Sequence, residues 1–244
     1  MKKTLLGVLI LPLLAGCKLN VDYSYKDADK YTRYTEAVEI DNKISALNVN
    51  WIGGSVTVQK GEKFIIEEEK NIYPLYYWNQ FDDSSADGTL IIQCLESGTD
   101  TNKVDFSKKN LTITVPYELD CFLLDIVSGD YTIDLDSVTE LEINVVSGNG
   151  QVKLGSNKNT TIDTVSGTVV MEIASTLLEE KIDLNAISGN MTLFLDPTRG
   201  FNVSFDSTSG ELRNNFGEPT DPSLSKYTIE ADTTSGNLAI SKLV

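Results

Sequence analysis

The chain has 244 residues, of which 41% are hydrophobic, and its 36 acidic and 20 basic side chains give a formal net charge of −16. This charge argues against nucleic acid as a partner, because a phosphate backbone would be repelled. The chain contains no histidine, which excludes Ser-His and Cys-His nucleophiles and removes a common zinc ligand. Short runs rich in Val, Ile, Thr and Tyr predict one all-β domain.

The N-terminus has the pattern of an export signal. Two lysines precede a short apolar run that ends in Leu14-Ala15-Gly16-Cys17, and this run is too short to span a bilayer. The segment resembles the lipobox of bacterial lipoproteins, which implies cleavage after residue 16 and a diacylglyceryl group on Cys17. An ordinary signal peptide that contains a cysteine is the alternative. We expect residues 1–16 to be the signal and residues 17–38 to be the lipidated end and a polar tether to the membrane.

Residues 39–120 predict irregular β coils that continue into the repeats. Trp51 and Gly53-Gly54 fit a degenerate first repeat, and strands are expected at 64–70, 90–96 and 111–115. Between the first two strands lies an aromatic segment interpreted as a loop. It either caps the open end of the fold or binds a sugar or protein partner. Its aromatic residues are Tyr73, Tyr76, Tyr77, Trp78 and Phe81.

Two cysteines follow Cys17 in the chain. Cys94 is in phase with the apolar residues of its predicted strand, and Cys121 begins the strand that leads into the first regular repeat. In an oxidising compartment they could form a disulfide. Two thiols that pack as small apolar side chains are the alternative.

Residues 121–244 contain a dipeptide, Ser-Gly, that recurs at intervals of 19, 19, 22, 21 and 26 residues. Apolar or small residues occupy the positions two and four before each serine, as on a strand with one buried face. We predict a right-handed parallel β-solenoid of two-strand coils, each about 20 residues long. An antiparallel β-sandwich with hairpins at Ser-Gly is the alternative. The serines are Ser128, Ser147, Ser166, Ser188, Ser209 and Ser235.

An acid or amide occupies the outward position three residues before every serine of the repeat. Stacked carboxylates about 5 Å apart could share Ca²⁺. The interleaved amides favour a structural role instead, because they reduce like-charge repulsion and can hydrogen-bond along the stack. The column consists of Asp125, Asn144, Asp163, Asn185, Asp206 and Asp232.

Nothing in the pattern predicts an enzyme or a cofactor. Beyond the tether the only arginines are Arg199 and Arg213, and neither lies in the acid/amide column. No pair of carboxylates stands out from the repeat, and the acidic loops lack the residue order of a calcium-binding loop.

The repeated motif resembles a bacterial domain family named for a proposed role in adhesion. The resemblance spans about residues 40–244 and rests on Ser-Gly-Asp or Ser-Gly-Asn at four turns and on Leu-Thr-Ile-Thr-Val-Pro ending at Pro116. It implies a β-helix-like fold on the cell envelope with no catalytic residues. Some relatives are linked to envelope stress and to the sensing of antimicrobial peptides. The chain departs from the motif at Thr168 and Glu211.

These observations favour a lipid-anchored envelope protein that binds a surface partner without turnover. One alternative is a sensor or decoy whose acidic faces capture cationic peptides, with an affinity that falls as salt rises. Another is a glycan-binding module that depends on Tyr77 and Trp78. Loss of two lysines with the signal would give the mature chain a formal net charge of −18. A charge whose only role is to keep the protein soluble is also consistent with this acidity.

Overall fold

A computed structural model describes residues 22–80, 88–174, 179–217 and 226–244. The described residues form eighteen β-strands and three short 3₁₀ turns, so the all-β prediction is confirmed. Within these ranges no helix has the length and hydropathy needed to cross a bilayer. The first nine strands are β1 Asp22–Tyr23, β2 Thr32–Arg33, β3 Val38–Ile40, β4 Ile44–Lys60, β5 Phe64–Glu68, β6 Tyr76–Gln80, β7 Gly88–Gln93, β8 Thr99–Asp100 and β9 Asn110–Val115.

The Ser-Gly repeats stack on one another as parallel rungs. Ser128 pairs with Gly53, and Ser147 pairs with Ser166, so the predicted columns are in register. A hairpin at Ser-Gly would pair the two strands of one repeat with each other, whereas here each pairs with the next rung. The remaining strands are β10 Leu119–Ser147, β11 Gly150–Ser166, β12 Thr168–Ile173, β13 Glu179–Ala186, β14 Asn190–Leu195, β15 Gly200–Ser207, β16 Leu212–Asn214, β17 Lys226–Thr233 and β18 Leu238–Lys242.

The order of the rungs in space differs from their order in the chain. The last rung, β17 and β18, lies between the rung of β13 and β14 and the rung of β15 and β16. At the other end, β4 lies between β10 and the pair β7 and β9. Repeat similarity predicts which residues occupy each column, but it does not predict which rung is next to which.

Short antiparallel strands cap the first end of the stack. Strand β6 pairs with β7 and then with the two-residue β2, while β5 pairs with β9 and then with β3. Edge strands this short offer few free backbone groups to another chain. We refer to β1–β3, β5, β6, β8 and their connections as the cap.

The structure differs from the interpretation of residues 17–38 as a tether. From Asp22 onward this segment is part of the cap, because β1 pairs with β8 and β2 pairs with β6. The Tyr23 hydroxyl donates to Gln93 Oε1 over 2.6 Å. Four tyrosines, Tyr23, Tyr25, Tyr31 and Tyr34, give this polar segment apolar surface. Tyr23 and Tyr34 pack against the core.

The core is a continuous stack of the inward columns. Ile143, Ile162 and Leu184, each four residues before a serine, are almost fully buried, and so are Ile133, Val152 and Met171 on the other side of the turn. Leu212 is exposed, in agreement with the break in the pattern at that repeat. The apolar periodicity of the sequence therefore predicts the core correctly.

Two buried ion pairs lie at the edges of this core. Lys109 Nζ contacts Glu68 Oε1, and both side chains are fully buried. Lys109 also donates to the Tyr73 carbonyl and lies 5.0 Å from the centroid of the Trp51 ring. Arg199 contacts Glu180 and stacks 4.0 Å above Tyr227. The apolar periodicity of the sequence does not predict that these charged residues are buried.

Buried tyrosines make the fold sensitive to alkali. Burial raises the pKa of Tyr131, and burial raises the pKa of Tyr227 to about 12. An unfolded tyrosine ionises near pH 10, so above that pH the native state holds protons that the unfolded state has lost. We expect the free energy of unfolding to fall as pH rises from 10 towards 12, measured by urea titration at a series of pH values.

Tyr131→Phe provides the matched variant. The Tyr131 hydroxyl is buried without a hydrogen-bond partner among the described residues, so its removal should gain about 1 kcal/mol at pH 7. The variant should also lose less stability than the parent above pH 10. An equal alkaline loss in both proteins would show that Tyr131 does not contribute to it.

Candidate functional site

The acid/amide column is held together by hydrogen bonds along the stack. Asn144 Nδ2 donates to Asp125 Oδ1 over 2.8 Å, and Asn185 Nδ2 donates to Asp163 Oδ1 over 2.6 Å. Burial raises the pKa of Asp125, and the bond from Asn144 opposes this rise. Each of these two amides therefore bonds an acid one rung away, which supports the structural interpretation of the column.

The final two members of the column are both acids. Asp206 and Asp232 are paired in register on adjacent strands, and both are exposed. Among the described residues no group of three or more acids, cysteines or histidines is arranged to hold a metal ion.

A second ladder explains the residue that follows each Ser-Gly. Asp130 Oδ1 accepts a bond from the backbone N–H of Asn149. Asn149 Oδ1 in turn accepts from the N–H of Thr168, and Asn190 Oδ1 accepts from Asn237. Asp or Asn in this place links the turn of one rung to the backbone of the next.

The serine hydroxyls contact backbone carbonyls of the adjacent rung at the same turn. Ser147 Oγ lies 3.4 Å from the Val127 carbonyl, and Ser235 Oγ lies 3.2 Å from the Ile187 carbonyl. The repeated Ser-Gly-Asp/Asn motif is therefore a set of contacts between rungs, and its residues are already engaged in holding the fold.

The sheet that carries the acid/amide column also carries further acids that point outward. Lys181 lies among them and bonds Asp183 and Glu230 at 3.0 and 3.1 Å. The stacking brings together residues that are far apart in the chain, and the result is a strongly negative face. Its eight carboxylates belong to Asp125, Glu140, Glu142, Asp163, Asp183, Asp206, Glu230 and Asp232.

A column of β-branched apolar residues runs beside this acidic face on the outward side of the sheet. Its members immediately precede the serine, or Gly53, of five successive rungs, over a length of about 19 Å. Val165 is 37% exposed and Ile187 is 55% exposed. Sequence reasoning missed this column, although its outward parity and its residue types are visible in the repeat. We call Ile52, Val127, Val146, Val165 and Ile187 the apolar column.

The predicted aromatic loop is partly a strand. Tyr76, Tyr77 and Trp78 lie in β6, so the loop interpretation is wrong for these three residues. Their high β propensity and their pairing with β7 explain the difference. Tyr73 lies in the connection before β6, and its carbonyl accepts a bond from Lys109. Phe81 lies outside the described residues.

The N-terminal segment adds aromatic rings that sequence reasoning assigned to the tether. Tyr23, Tyr25 and Tyr31 are in edge contact in turn, with centroid distances of 5.6 and 4.7 Å. Tyr31 then contacts Trp78 at 5.6 Å, and Lys30 Nζ lies 4.8 Å from the centroid of the Trp78 ring. Tyr77 instead packs against the core. The cap therefore joins aromatic residues from two separate parts of the chain.

Both remaining cysteines are free thiols. Cys94 is fully buried, and burial raises the pKa of its thiol to about 12. Cys121 is half-buried on the outward side of β10. The structure therefore agrees with the alternative in which Cys94 and Cys121 do not form a disulfide. Cys17 and the signal lie outside the described residues.

Stacked parallel rungs, a continuous apolar core and side-chain ladders at one corner define an all-β, β-solenoid-like protein. The chain belongs to the Toastrack DUF4097 family, which matches residues 41–241. This confirms the resemblance drawn from the Ser-Gly repeats at the level of family and fold. No functionally curated protein matches the chain.

Two solved structures are similar to this chain to different degrees. One is a candidate cell adhesion protein from Clostridium sporogenes, which is 15% identical, aligns over 88% of this chain and 100% of its own, and has a TM-score of 0.57. The other is a candidate adhesin from Bacteroides fragilis, with 13% identity, coverage of 85% and 98%, and a TM-score of 0.37. At these identities the first similarity establishes the fold alone.

Proposed function

We propose that this protein is a lipid-anchored β-solenoid of the bacterial cell envelope that binds a surface partner through its acidic sheet, without catalysis. The apolar column is the observation that carries the proposal. Val165 and Ile187 are exposed, and the other three members are half-buried on the outward side of the sheet. Apolar side chains aligned in this way on successive rungs favour a contact surface. The description of the Clostridium sporogenes structure as a candidate cell adhesion protein agrees with a binding role.

The partner should present basic and apolar groups together. The apolar column lies two residues along the strand from the acid/amide column, so a bound surface would meet both within about 7 Å. Carboxylates at the rim would attract a cationic partner and set its orientation, while Val165 and Ile187 would provide the buried contact.

Photo-crosslinking in cells tests this assignment. A photoreactive residue at Val165 should capture a discrete partner with a basic surface, and the same probe at Gln151 should capture none. Gln151 is a matched control because it is exposed on the other sheet of a neighbouring rung. Equal capture at both positions, or at Gln151 alone, would contradict the proposed surface.

Capture of cationic peptides is the second candidate, and the eight carboxylates of the acidic face favour it. Screening over about 8 Å at physiological ionic strength should then weaken binding steeply as salt rises. A partner held mainly by the apolar column should remain bound. The glycan alternative has less support, because Lys30 lies over the Trp78 ring where a sugar would stack.

A further inference from the structure

The cap carries a group of apolar and aromatic side chains that the proposed partner surface does not use. Ile72, in the connection between β5 and β6, is 83% exposed. Tyr25, Tyr31, Tyr76 and Trp78 are each half-buried on the same cap. The rings of Tyr25, Tyr31 and Trp78 are in edge contact in turn, so they form one aromatic group on the cap. We call these five residues the cap aromatic surface.

The position of the chain start limits what can cover this surface. Asp22 lies five residues after Cys17, and an extended chain spans at most about 3.5 Å per residue, or about 18 Å in all. Asp22 is fixed to the cap because β1 pairs with β8 and the N–H of Gly98 donates to the Tyr23 carbonyl. A lipid on Cys17 would therefore hold the cap close to the bilayer.

Three exposed cations lie in the part of the cap that carries these rings. They are Lys26, Lys30 and Arg33. Lys30 Nζ lies 4.8 Å from the centroid of the Trp78 ring and 3.1 Å from Asp27 Oδ1, and Arg33 pairs in register with Tyr76. At a membrane these cations would meet the lipid phosphates beside the aromatic residues.

We propose that the cap aromatic surface docks on the lipid headgroups of the membrane that holds the Cys17 anchor. Tyrosine and tryptophan side chains favour this depth because one end of the ring system is apolar and the other is polar. Ile72 would enter the acyl boundary, and Lys30 would remain among the phosphates. The acidic sheet would then project from the membrane towards its partner. The inference rests on the lipid anchoring in the proposed function.

The test attaches the mature chain to vesicles without relying on cellular lipidation. A protein that begins at Cys17 and carries Cys121→Ser is coupled through Cys17 to a maleimide lipid in phosphatidylethanolamine and phosphatidylglycerol vesicles. Brominated lipids then quench any tryptophan that reaches the bilayer. Trp51 is 2% exposed and bonded to the Lys109 carbonyl, so it serves as the internal reference, and Trp78→Phe identifies the signal from Trp78.

We expect brominated lipid to quench the Trp78 signal, and we expect Ile72→Ser to reduce that quenching at least twofold. Ile187→Ser is the control, since it removes a similarly exposed isoleucine from the sheet and should change nothing. Quenching no greater than that of Trp78→Phe would overturn the membrane assignment and leave the surface to a protein or glycan. Lipidation is tested separately by the mass of the Cys17 peptide from cells.

Discussion

Gly167→Ala is expected to lower the free energy of unfolding by about 3–5 kcal/mol. A Cβ at this position would lie 1.9 Å from the backbone oxygen of Gly148 on the next rung, and the φ of Gly167 is 131°. The three atoms nearest to this Cβ all belong to the Gly148 backbone, so no side chain can move aside to make room. Urea unfolding followed by circular dichroism should show an earlier midpoint with an unchanged slope.

Gly98→Ala separates the two causes of this loss. Gly98 has a φ of 92°, but a Cβ there would meet nothing within 4 Å. This variant should therefore lose only the conformational cost of a left-handed residue, about 1–2 kcal/mol. If Gly167→Ala were no worse than Gly98→Ala, the close approach of the rungs would not be the reason for glycine in the repeat.

Lys109→Met is expected to cost about 3–5 kcal/mol, because it leaves Glu68 buried without its cation. Burial raises the pKa of Glu68, and contact with Lys109 opposes that rise. In the variant Glu68 should bind a proton more tightly in the native state than in the unfolded state. The loss should therefore be smaller at pH 5 than at pH 8, since stability falls as pH rises above the unfolded pKa.

The double variant Glu68→Gln with Lys109→Met is the control for this ion pair. It removes both charges and keeps an acceptor for the backbone N–H of Leu75, which donates to Glu68 in the parent over 2.8 Å. Most of the lost stability should return. A double variant as unstable as Lys109→Met would show that packing of the lysine chain against Trp51, and not its charge, is what the fold requires.

The columns of this protein could be predicted from the sequence because each follows from a period of two and a repeated turn. Ile143 and Ile162 are buried and Asn144 and Asp163 face outward, as that period requires. The order of rungs could not be predicted, since every Ser-Gly repeat offers the same edge to its neighbours. The local pattern determines which face of the sheet a side chain occupies. Which of several equivalent rungs a strand pairs with depends on the whole stack.

The candidate surfaces, like the fold, could be predicted only in part from the sequence. The acids of the column were visible in the sequence, but the continuous acidic face needed the register of the rungs. Tyr23, Tyr25 and Tyr31 have no apolar periodicity, so the segment was interpreted as a tether. Lys109 immediately precedes β9 and Glu68 ends β5, and neither residue belongs to a repeated pattern. Their contacts arise from tertiary packing, which overrides local composition.

The placement of the last rung has a consequence for how the molecule is made. Strands β15 and β16 leave the ribosome before β17 and β18, yet they stack on them and not on β13 and β14. Domains usually begin to fold from the end that is synthesised first. Here residues 200–214 cannot reach their native position until residues 226–244 have been synthesised. A chain that stopped before residue 226 would lack the rung on which residues 200–214 dock, so their native arrangement requires strands that are made after them.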